Sequence, residues 1–233
     1  MRQLEARQNF RVREYLVKSD RVVFVFTGMG TRIGLYRLFV RALNKRGYSV
    51  VIYDYPPRMV WKAEFEVFDP LYEGIKVDAD ARIKNLKRKH IYAFGISMGT
   101  VIAARLVRNT SAIKHLVMSL TYGDIVTNTL HSWMNAPTRK HMKRKGLSVE
   151  DLSKAVKHYD SIKNAAGLKD KKVWLHLSRK DKILDYSITI KTKEAFEANI
   201  KDFTYTEDKR FGHLAAGAKY LWKVDAIDKF YSS

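Results

Sequence analysis

A serine stands between two glycines near the middle of the chain, in the segment Gly95-Ile96-Ser97-Met98-Gly99. A serine hydroxyl is a poor nucleophile at its ordinary pKa, so it needs a nearby base and a third group that orients the base. The spacing G-x-S-x-G between a strand and a helix favours a sharp turn that exposes the serine. We predict that Ser97 is a nucleophile; the alternative is an ordinary strand–helix turn with a small residue.

The base of such a site should be a histidine that reaches the same edge of the sheet as Ser97. His90 and His115 begin predicted strands, at the opposite edge, and His176 lies inside one. His213 follows the last predicted strand and precedes a helix, so we predict that it is the base. The alternative is a surface loop histidine.

The orienting acid should follow the penultimate strand. Asp181 lies in the loop Ser178-Arg179-Lys180-Asp181-Lys182, where the lysines favour the ionised carboxylate. Asp124, after the preceding strand, is the rival, and we prefer Asp181.

Backbone amides should bind the developing oxyanion. Met98 follows the nucleophile, and Met29 lies in the glycine-rich loop Thr27-Gly28-Met29-Gly30, so we predict both as donors. A phosphate-binding turn is the competing interpretation of this loop, but the spacing is not G-x-G-x-x-G and no P-loop lysine follows.

Short apolar runs alternate with amphipathic helical patterns, which is typical of an α/β fold with a mostly parallel sheet and helices on both faces. A turn at Lys18-Ser19-Asp20 suggests a hairpin between the first two strands. Leu35, Leu38, Phe39, Ala42 and Leu43 have the spacing of one helix face. The predicted strands are residues 10–17, 21–26, 49–53, 91–95, 115–120, 173–177 and 202–206.

The alternation is interrupted between the fifth and sixth strands. We interpret residues 1–233 as a single domain and residues 121–171 as a small helical cap inserted in it. Within the cap, Ser148-Val149-Glu150-Asp151 is a helix-start signature. The predicted substrate pocket residues are Trp61, Leu130, Trp133 and Met134, with Met142 as a further candidate; packing between helices is the alternative interpretation.

Composition limits the classes of protein that are possible. The chain has 233 residues, no cysteine and a hydrophobic fraction of 46%, which is typical of a globular domain and excludes disulfides and a cysteine nucleophile. The N-terminal residues lack an apolar signal core, and we find no transmembrane stretch, so we expect a cytoplasmic protein. The sequence indicates no metal site, and we expect no cofactor.

The formal charge is +20, from 44 basic and 24 acidic residues. Such an excess attracts anionic substrates or surfaces. A generally basic set of host proteins or a need for solubility is the alternative, and we prefer it because the basic residues are spread along the chain. The basic runs at residues 84–90 and 139–145 are not interleaved with aromatic residues, so we do not expect specific nucleic-acid binding.

The order Ser97, Asp181, His213, together with the loop at Thr27, resembles the α/β-hydrolase fold family over nearly the whole chain. The predicted cap and the Ser-Met-Gly turn look like those of small capped esterases, lysophospholipases and thioesterases. A serine nucleophile argues against the haloalkane dehalogenase and epoxide hydrolase branches.

Two positions depart from the pattern of this family. Thr27 stands where the family often has histidine, which changes the support of the oxyanion loop. After Asp54 the family often has a short glycine-rich turn, whereas here the chain continues with Tyr55-Pro56-Pro57-Arg58-Met59-Val60-Trp61 into an aromatic-rich loop. Its aromatic residues Phe65, Phe68 and Tyr72 either line an acyl pocket or pack the loop onto the core.

The resemblance implies a serine hydrolase that cleaves carboxylic esters through an acyl-enzyme intermediate. One alternative is a thioesterase or acyltransferase that acts on an anionic carrier such as acyl-CoA. The other is a binding protein that retains the fold without turnover. Neither acyl chain length nor oligomeric state follows from the sequence.

Overall fold

The computed structural model describes residues 10–28, 30–55, 65–121 and 123–233. A seven-stranded sheet lies at its centre, with strand order β1-β3-β2-β4-β5-β6-β7. β1 is antiparallel to β3, and every other neighbouring pair is parallel. The strands are β1 (Arg11–Tyr15), β2 (Arg21–Phe26), β3 (Tyr48–Asp54), β4 (His90–Ile96), β5 (Ile113–Ser119), β6 (Lys172–Ser178) and β7 (Asp202–Asp208).

The central strands are buried because helices cover both faces of the sheet. In β2, Phe24 and Phe26 join the core on one face, whereas Val23 and Val25 join the core on the other. Alternate side chains of a strand point to opposite faces, so a doubly covered strand is apolar throughout. The mostly parallel sheet predicted from these runs is confirmed.

The predicted hairpin between β1 and β2 is wrong. β1 pairs with β3 instead, with Arg11 opposite Asp54 and Tyr15 opposite Val50. Beyond the paired residues, the Ser49 hydroxyl accepts a hydrogen bond from the Val17 amide at 3.2 Å. Residues 18–20 therefore connect two strands that are not neighbours in the sheet.

Helices connect most of the strands, and two further helices come after the last strand. In the described part of the chain, 3₁₀ segments lie at Ile33–Tyr36, Phe65–Val67, Trp133–Asn135 and Ala165–Leu168. In the described ranges, no helix is long and apolar enough to cross a membrane. The α-helices are α1 (Arg37–Lys45), α2 (Phe68–Leu86), α3 (Met98–Arg108), α4 (Ile125–His131), α5 (Ala136–Lys145), α6 (Val149–Val156), α7 (Tyr186–Asn199), α8 (His213–Leu221) and α9 (Val224–Ser232).

The apolar face predicted around α1 is only partly correct. Phe39 and Leu43 are buried, but Leu35 and Leu38 are 72% and 55% exposed. Tyr36 and Val40 are buried in their place. The reason is that Ile33–Tyr36 is a 3₁₀ turn, whose tighter winding shifts the buried face relative to an α-helix.

The segment between β5 and β6 contains α4, α5 and α6. The Ser148 hydroxyl accepts a hydrogen bond from the Asp151 amide while the Asp151 carboxylate accepts one from the Ser148 amide, so α6 begins with the predicted capping box. The single-domain assignment and the cap boundaries 121–171 remain predictions. These helices lie at the carboxyl edge of the sheet, because Ile125, Leu152 and Val156 border the same cavity as Ser97.

Candidate active site

Ser97 occupies the tight turn between β4 and α3. Its backbone has φ 52° and ψ −124°, a conformation that L-residues rarely adopt and that costs on the order of 1–3 kcal/mol. The flanking glycines allow the close approach of strand and helix, because a Cβ at Gly95 would lie 2.6 Å from the Thr100 Cα, and one at Gly99 would overlap the Phe26 carbonyl. The turn is therefore held by its surroundings.

Hydrogen bonds fix the Ser97 backbone on both sides. Its amide donates to the Ser119 carbonyl at 2.8 Å, and its carbonyl accepts from the Thr100 amide at 2.9 Å. The Thr100 hydroxyl donates to the same carbonyl at 2.6 Å. These contacts leave the Ser97 hydroxyl to bond elsewhere.

The structure brings together the three side chains that the sequence pattern selected. The His213 Nε2 lies 3.0 Å from the Ser97 Oγ. The His213 Nδ1 lies 2.6 Å from an Asp181 carboxylate oxygen. Only 7% and 4% of the His213 and Asp181 side chains are exposed, so water does not compete strongly for these bonds.

Asp181 is held by its own loop. Its second carboxylate oxygen accepts hydrogen bonds from the Ile183 amide at 2.9 Å and the Leu184 amide at 2.8 Å. An ionised carboxylate only accepts, so His213 must donate through Nδ1–H, and its neutral Nε2 is left to accept from Ser97. The rival Asp124 instead caps α4, where it accepts from the Thr127 amide and hydroxyl.

Asp208 anchors the loop that carries His213. Its carboxylate accepts from the amides of Arg210 and Phe211 at 2.8 and 2.9 Å and from the Lys219 ammonium at 2.8 Å. Burial alone would raise the pKa of Asp208, but Lys219 and the two amides outweigh burial and lower the pKa to about 2. The carboxylate therefore stays ionised, and the loop stays tied, throughout the physiological pH range.

His176, the histidine inside β6, is buried and does not reach Ser97. It is 1% exposed, stacks on Tyr220 with ring centroids 4.2 Å apart, and its Nδ1 lies 3.1 Å from the Thr206 hydroxyl. Burial, followed by repulsion from Lys223, lowers the pKa of His176 to about 4. The neutral imidazole is part of the core.

A buried neutral histidine makes stability depend on pH. Below its ordinary pKa of 6.5, His176 binds a proton in the unfolded chain but not in the folded chain until about pH 4. The free energy of unfolding should therefore fall by up to about 3 kcal/mol as pH drops through this window. Urea unfolding between pH 7 and 4 tests this: His176→Gln should have a flatter pH dependence than the wild type. Equal slopes would contradict it.

Of the two predicted amide donors, the structure describes Met98 but not Met29. Met98 is in the first turn of α3, where N–H groups have no acceptor within the helix. Met29 lies outside the described residues. Next to it, Gly28 approaches Ser97 so closely that an added Cβ would lie 3.4 Å from the Ser97 Cβ.

A closed ring of hydrogen bonds holds Gly28. Its amide donates to the Tyr36 hydroxyl at 3.1 Å, and its carbonyl accepts from the Thr31 hydroxyl at 2.7 Å. The two hydroxyls are 3.2 Å apart. Since Thr31 uses its proton on the carbonyl, Tyr36 must donate to Thr31 to complete the ring. Tyr36 belongs to no sequence motif, so this support could not be predicted from the sequence.

An apolar cavity of about 350 Å³ borders both Ser97 and His213. Trp133 and Met134, two of the candidate pocket residues, line it. Leu130 is not among the described lining residues, which corrects that prediction. The reason is helical geometry: Ile125 and Thr129 are four residues apart on one face of α4, whereas Leu130 is rotated by about 100° from Thr129.

Two other pocket candidates are not part of the described lining. Trp61 lies outside the described residues. Met142 is buried in the core cluster and does not border the cavity, so the packing interpretation holds for it.

The aromatic-rich segment after Asp54 is helical from Phe65 onwards. Phe65 is in a 3₁₀ turn, and Phe68 and Tyr72 belong to α2, so the prediction of a loop is wrong for these residues. Phe65 and Phe68 line the cavity. Tyr72 instead packs under the Arg105 guanidinium, 3.9 Å from its ring centroid. Both interpretations of the aromatic residues therefore apply, at different positions.

The sheet, the covering helices and the serine on the strand–helix turn define an α/β hydrolase. The family model of the S33 serine aminopeptidases matches residues 17–143, more than half of the chain. The chain therefore belongs to this hydrolase family.

Solved structures share the fold at low sequence identity. A Paleococcus ferrophilus monoacylglycerol lipase has a TM-score of 0.65 at 16% identity, covering 96% of this chain and 99% of its own. A Pyrococcus furiosus esterase has a TM-score of 0.66 at 16% identity, with coverages of 98% and 92%. A carboxylesterase structure from the thaumarchaeon Nitrososphaera gargenis has a TM-score of 0.62 at 14% identity, with coverages of 96% and 94%. Comparison with curated protein sequences finds no match.

Proposed function

We propose that the protein is a serine esterase that hydrolyses carboxylic esters in two steps through an acyl-enzyme. The observation that carries the proposal is the chain of contacts from Asp181 through His213 to Ser97, with distances of 2.6 and 3.0 Å, at the side of an apolar cavity. In an acyl-transfer site, the orienting acid is hydrogen-bonded to the base, and the base is hydrogen-bonded to the nucleophile in the same way.

In the first step, Ser97 Oγ attacks the ester carbonyl and His213 Nε2 takes the hydroxyl proton. The carbonyl oxygen becomes an oxyanion, and the amides of Met98 and Met29 are the proposed donors to it. When the tetrahedral intermediate collapses, the carbon–oxygen bond to the alcohol breaks, and the imidazolium returns the proton to the leaving alkoxide. Asp181 stabilises the imidazolium while it exists.

In the second step, water replaces the alcohol. His213 removes a proton from the water, the resulting hydroxide attacks the Ser97 acyl ester, and the imidazolium then protonates Ser97 Oγ. The carboxylic acid leaves, and the free enzyme is restored.

The cavity favours an ester over a peptide with a free amino terminus. A buried ammonium group needs an anionic partner, yet none of the described cavity-lining residues is Asp or Glu. The lining is made of aliphatic and aromatic side chains with a few neutral polar groups, which suits an acyl chain. The names of the lipase and esterase neighbours agree with this substrate class.

Hydrolysis of p-nitrophenyl esters of increasing acyl length tests the proposal, with an amino acid p-nitroanilide run beside them. A cavity of about 350 Å³ is at the small end for ligand pockets. We therefore expect the highest kcat/KM at acyl chains of about four to eight carbons. Acyl-CoA tests the thioester alternative. Faster cleavage of the anilide than of every ester would contradict the proposal.

Tyr36 should support the oxyanion loop without touching substrate. In Tyr36→Phe the buried Gly28 amide loses its acceptor, so the loop can shift beside Ser97. We expect kcat to fall about tenfold with KM nearly unchanged, because the amide donors act mainly in the transition state. Steady-state kinetics on the best ester measures both constants.

Tyr220→Phe is the matched control for Tyr36→Phe. Tyr220 is also fully buried, but its hydroxyl has no hydrogen-bond partner among the described residues. Its removal should therefore leave kcat unchanged. The same kcat in both variants would show that the ring around Gly28 has no role in positioning.

A further inference from the structure

Exposed apolar and cationic side chains lie on segments that also carry cavity-lining residues. We call this surface the mouth rim. Leu214 and Trp133 are 74% and 66% exposed, although both also line the cavity. The rim consists of Trp133, Lys180, Lys182, Lys209, Arg210, Phe211 and Leu214.

Hydrogen bonds between three segments make the mouth rim one continuous surface. The Trp133 indole donates to the Lys182 carbonyl at 2.9 Å, which joins the segment between α4 and α5 to the loop after β6. The Arg179 amide donates to the Asp208 carbonyl at 2.8 Å, which joins that loop to the end of β7 and the loop before α8. The exposed Trp133 ring is thus held in place rather than free.

The positive charge of the mouth rim is not neutralised within the described part of the chain. Lys180, Lys182 and Lys209 are exposed and make no ion pair there. Arg210 lies over the Phe211 ring, 5.9 Å from its centroid.

The carboxylates that flank these cations in the sequence already have partners. Asp181 is bound to His213, Asp208 to Lys219, and Glu207 to Arg179. The exposed Asp185 caps α7 through the Ser187 amide and hydroxyl. Four cations are therefore left facing solvent beside exposed apolar side chains.

We propose that the mouth rim docks the protein on a lipid surface that carries anionic headgroups. Exposed aromatic and aliphatic side chains enter the interface between headgroups and acyl chains, while flanking lysines and arginines bind phosphates. The mouth rim combines exposed apolar side chains with long cationic ones, which suits a fluid surface of small mobile anions. In this orientation the cavity mouth faces the lipid, and an acyl chain enters without crossing water.

Vesicle binding tests the docking surface, measured by co-sedimentation of the Ser97→Ala protein so that turnover plays no part. The vesicles contain phosphatidylcholine alone, or phosphatidylcholine with phosphatidylglycerol. We expect binding to the anionic vesicles to be at least about tenfold stronger than to the neutral ones, and to weaken with salt.

A charge-matched pair of variants separates the mouth rim from the overall charge of the chain. Lys180→Glu with Lys182→Glu reverses two charges on the rim. Lys169→Glu with Lys201→Glu reverses two exposed charges before β6 and β7, at the opposite edge of the sheet. We expect the rim pair to lower the partition coefficient at least about tenfold and the opposite pair less than about threefold.

The apolar contribution is tested with Leu214→Ser, which should weaken binding to anionic vesicles while leaving the thermal unfolding curve unchanged, because this side chain is exposed. Equal loss of binding in the two charge-reversal pairs would overturn the proposal, since overall charge would then explain the association. Failure to bind anionic vesicles, or equal binding to neutral ones, would overturn it as well. None of these outcomes depends on ester hydrolysis.

Discussion

Ser97→Ala should lower kcat for the best ester by about 10⁵- to 10⁶-fold, the size of effect seen when a nucleophile acting with its base is removed. The reason is that no other described hydroxyl shares its position beside His213 Nε2. KM should change little, because the cavity walls that bind the acyl chain remain. Stopped assays at high enzyme concentration measure the residual rate.

Ser161→Ala is the control for the loss of a serine hydroxyl. Ser161 is 3% exposed, and its hydroxyl has no partner among the described residues. Its activity should equal that of the wild type. Retention of more than about one hundredth of the activity in Ser97→Ala would contradict the nucleophile assignment, because a water bound in its place rarely sustains such a rate.

Asp181→Asn should lower kcat about 10⁴-fold without unfolding the protein. The amides of Ile183 and Leu184 both donate to one carboxylate oxygen, so the amide oxygen of the variant must take that position. Its NH₂ group then faces His213 Nδ1, which can only accept from it. The imidazole proton moves to Nε2, and the ring can no longer take the Ser97 proton.

Asp124→Asn separates the two acids that sequence analysis considered. Asp124 caps α4, and asparagine is an equally good cap, so stability should change by less than about 1 kcal/mol. Its kcat should match that of the wild type. A loss in Asp124→Asn as large as that in Asp181→Asn would contradict the assignment of Asp181 as the orienting acid.

The central strands could be predicted from the sequence because burial on both faces leaves a mostly apolar run. The segment 21–26 was predicted with the bounds that the structure has, and the other strands differ by only a few residues at their ends. The convergence of Ser97, Asp181 and His213 could also be predicted, since each follows a parallel strand whose carboxyl end lies at one edge of the sheet.

Strand partners could not be read from local pattern. β1 and β2 are close in sequence with a turn between them, yet β1 pairs with β3, through backbone hydrogen bonds that leave no mark on side-chain periodicity. The exposure of Leu35 could not be predicted from side-chain periodicity either. It depends on the 3₁₀ turn at Ile33–Tyr36, which determines the side of the segment that is buried.

The support around the candidate site was hidden for another reason. Tyr36 reaches back eight residues to the Gly28 amide, and Asp208 ties its loop to Lys219 on the next helix. Such contacts depend on the three-dimensional course of loops. Tyrosine and aspartate are common residues, so their presence in the sequence does not indicate a role in supporting the site. The sequence indicates Phe65, Phe68 and Tyr72 as candidates for the cavity lining. It does not indicate that Phe65 and Phe68 line the cavity whereas Tyr72 packs elsewhere, because this depends on the helical segment that carries them.

Labelling with a fluorophosphonate, followed by peptide mass spectrometry, tests the central claim most directly. A serine activated by His213 forms a stable phosphonyl ester, whereas an ordinary serine hydroxyl does not react. We predict one phosphonyl group per chain, located on Ser97, and a loss of labelling in both His213→Ala and Asp181→Asn. Absence of labelling in the folded wild-type protein, or labelling of a serine other than Ser97, would contradict the account.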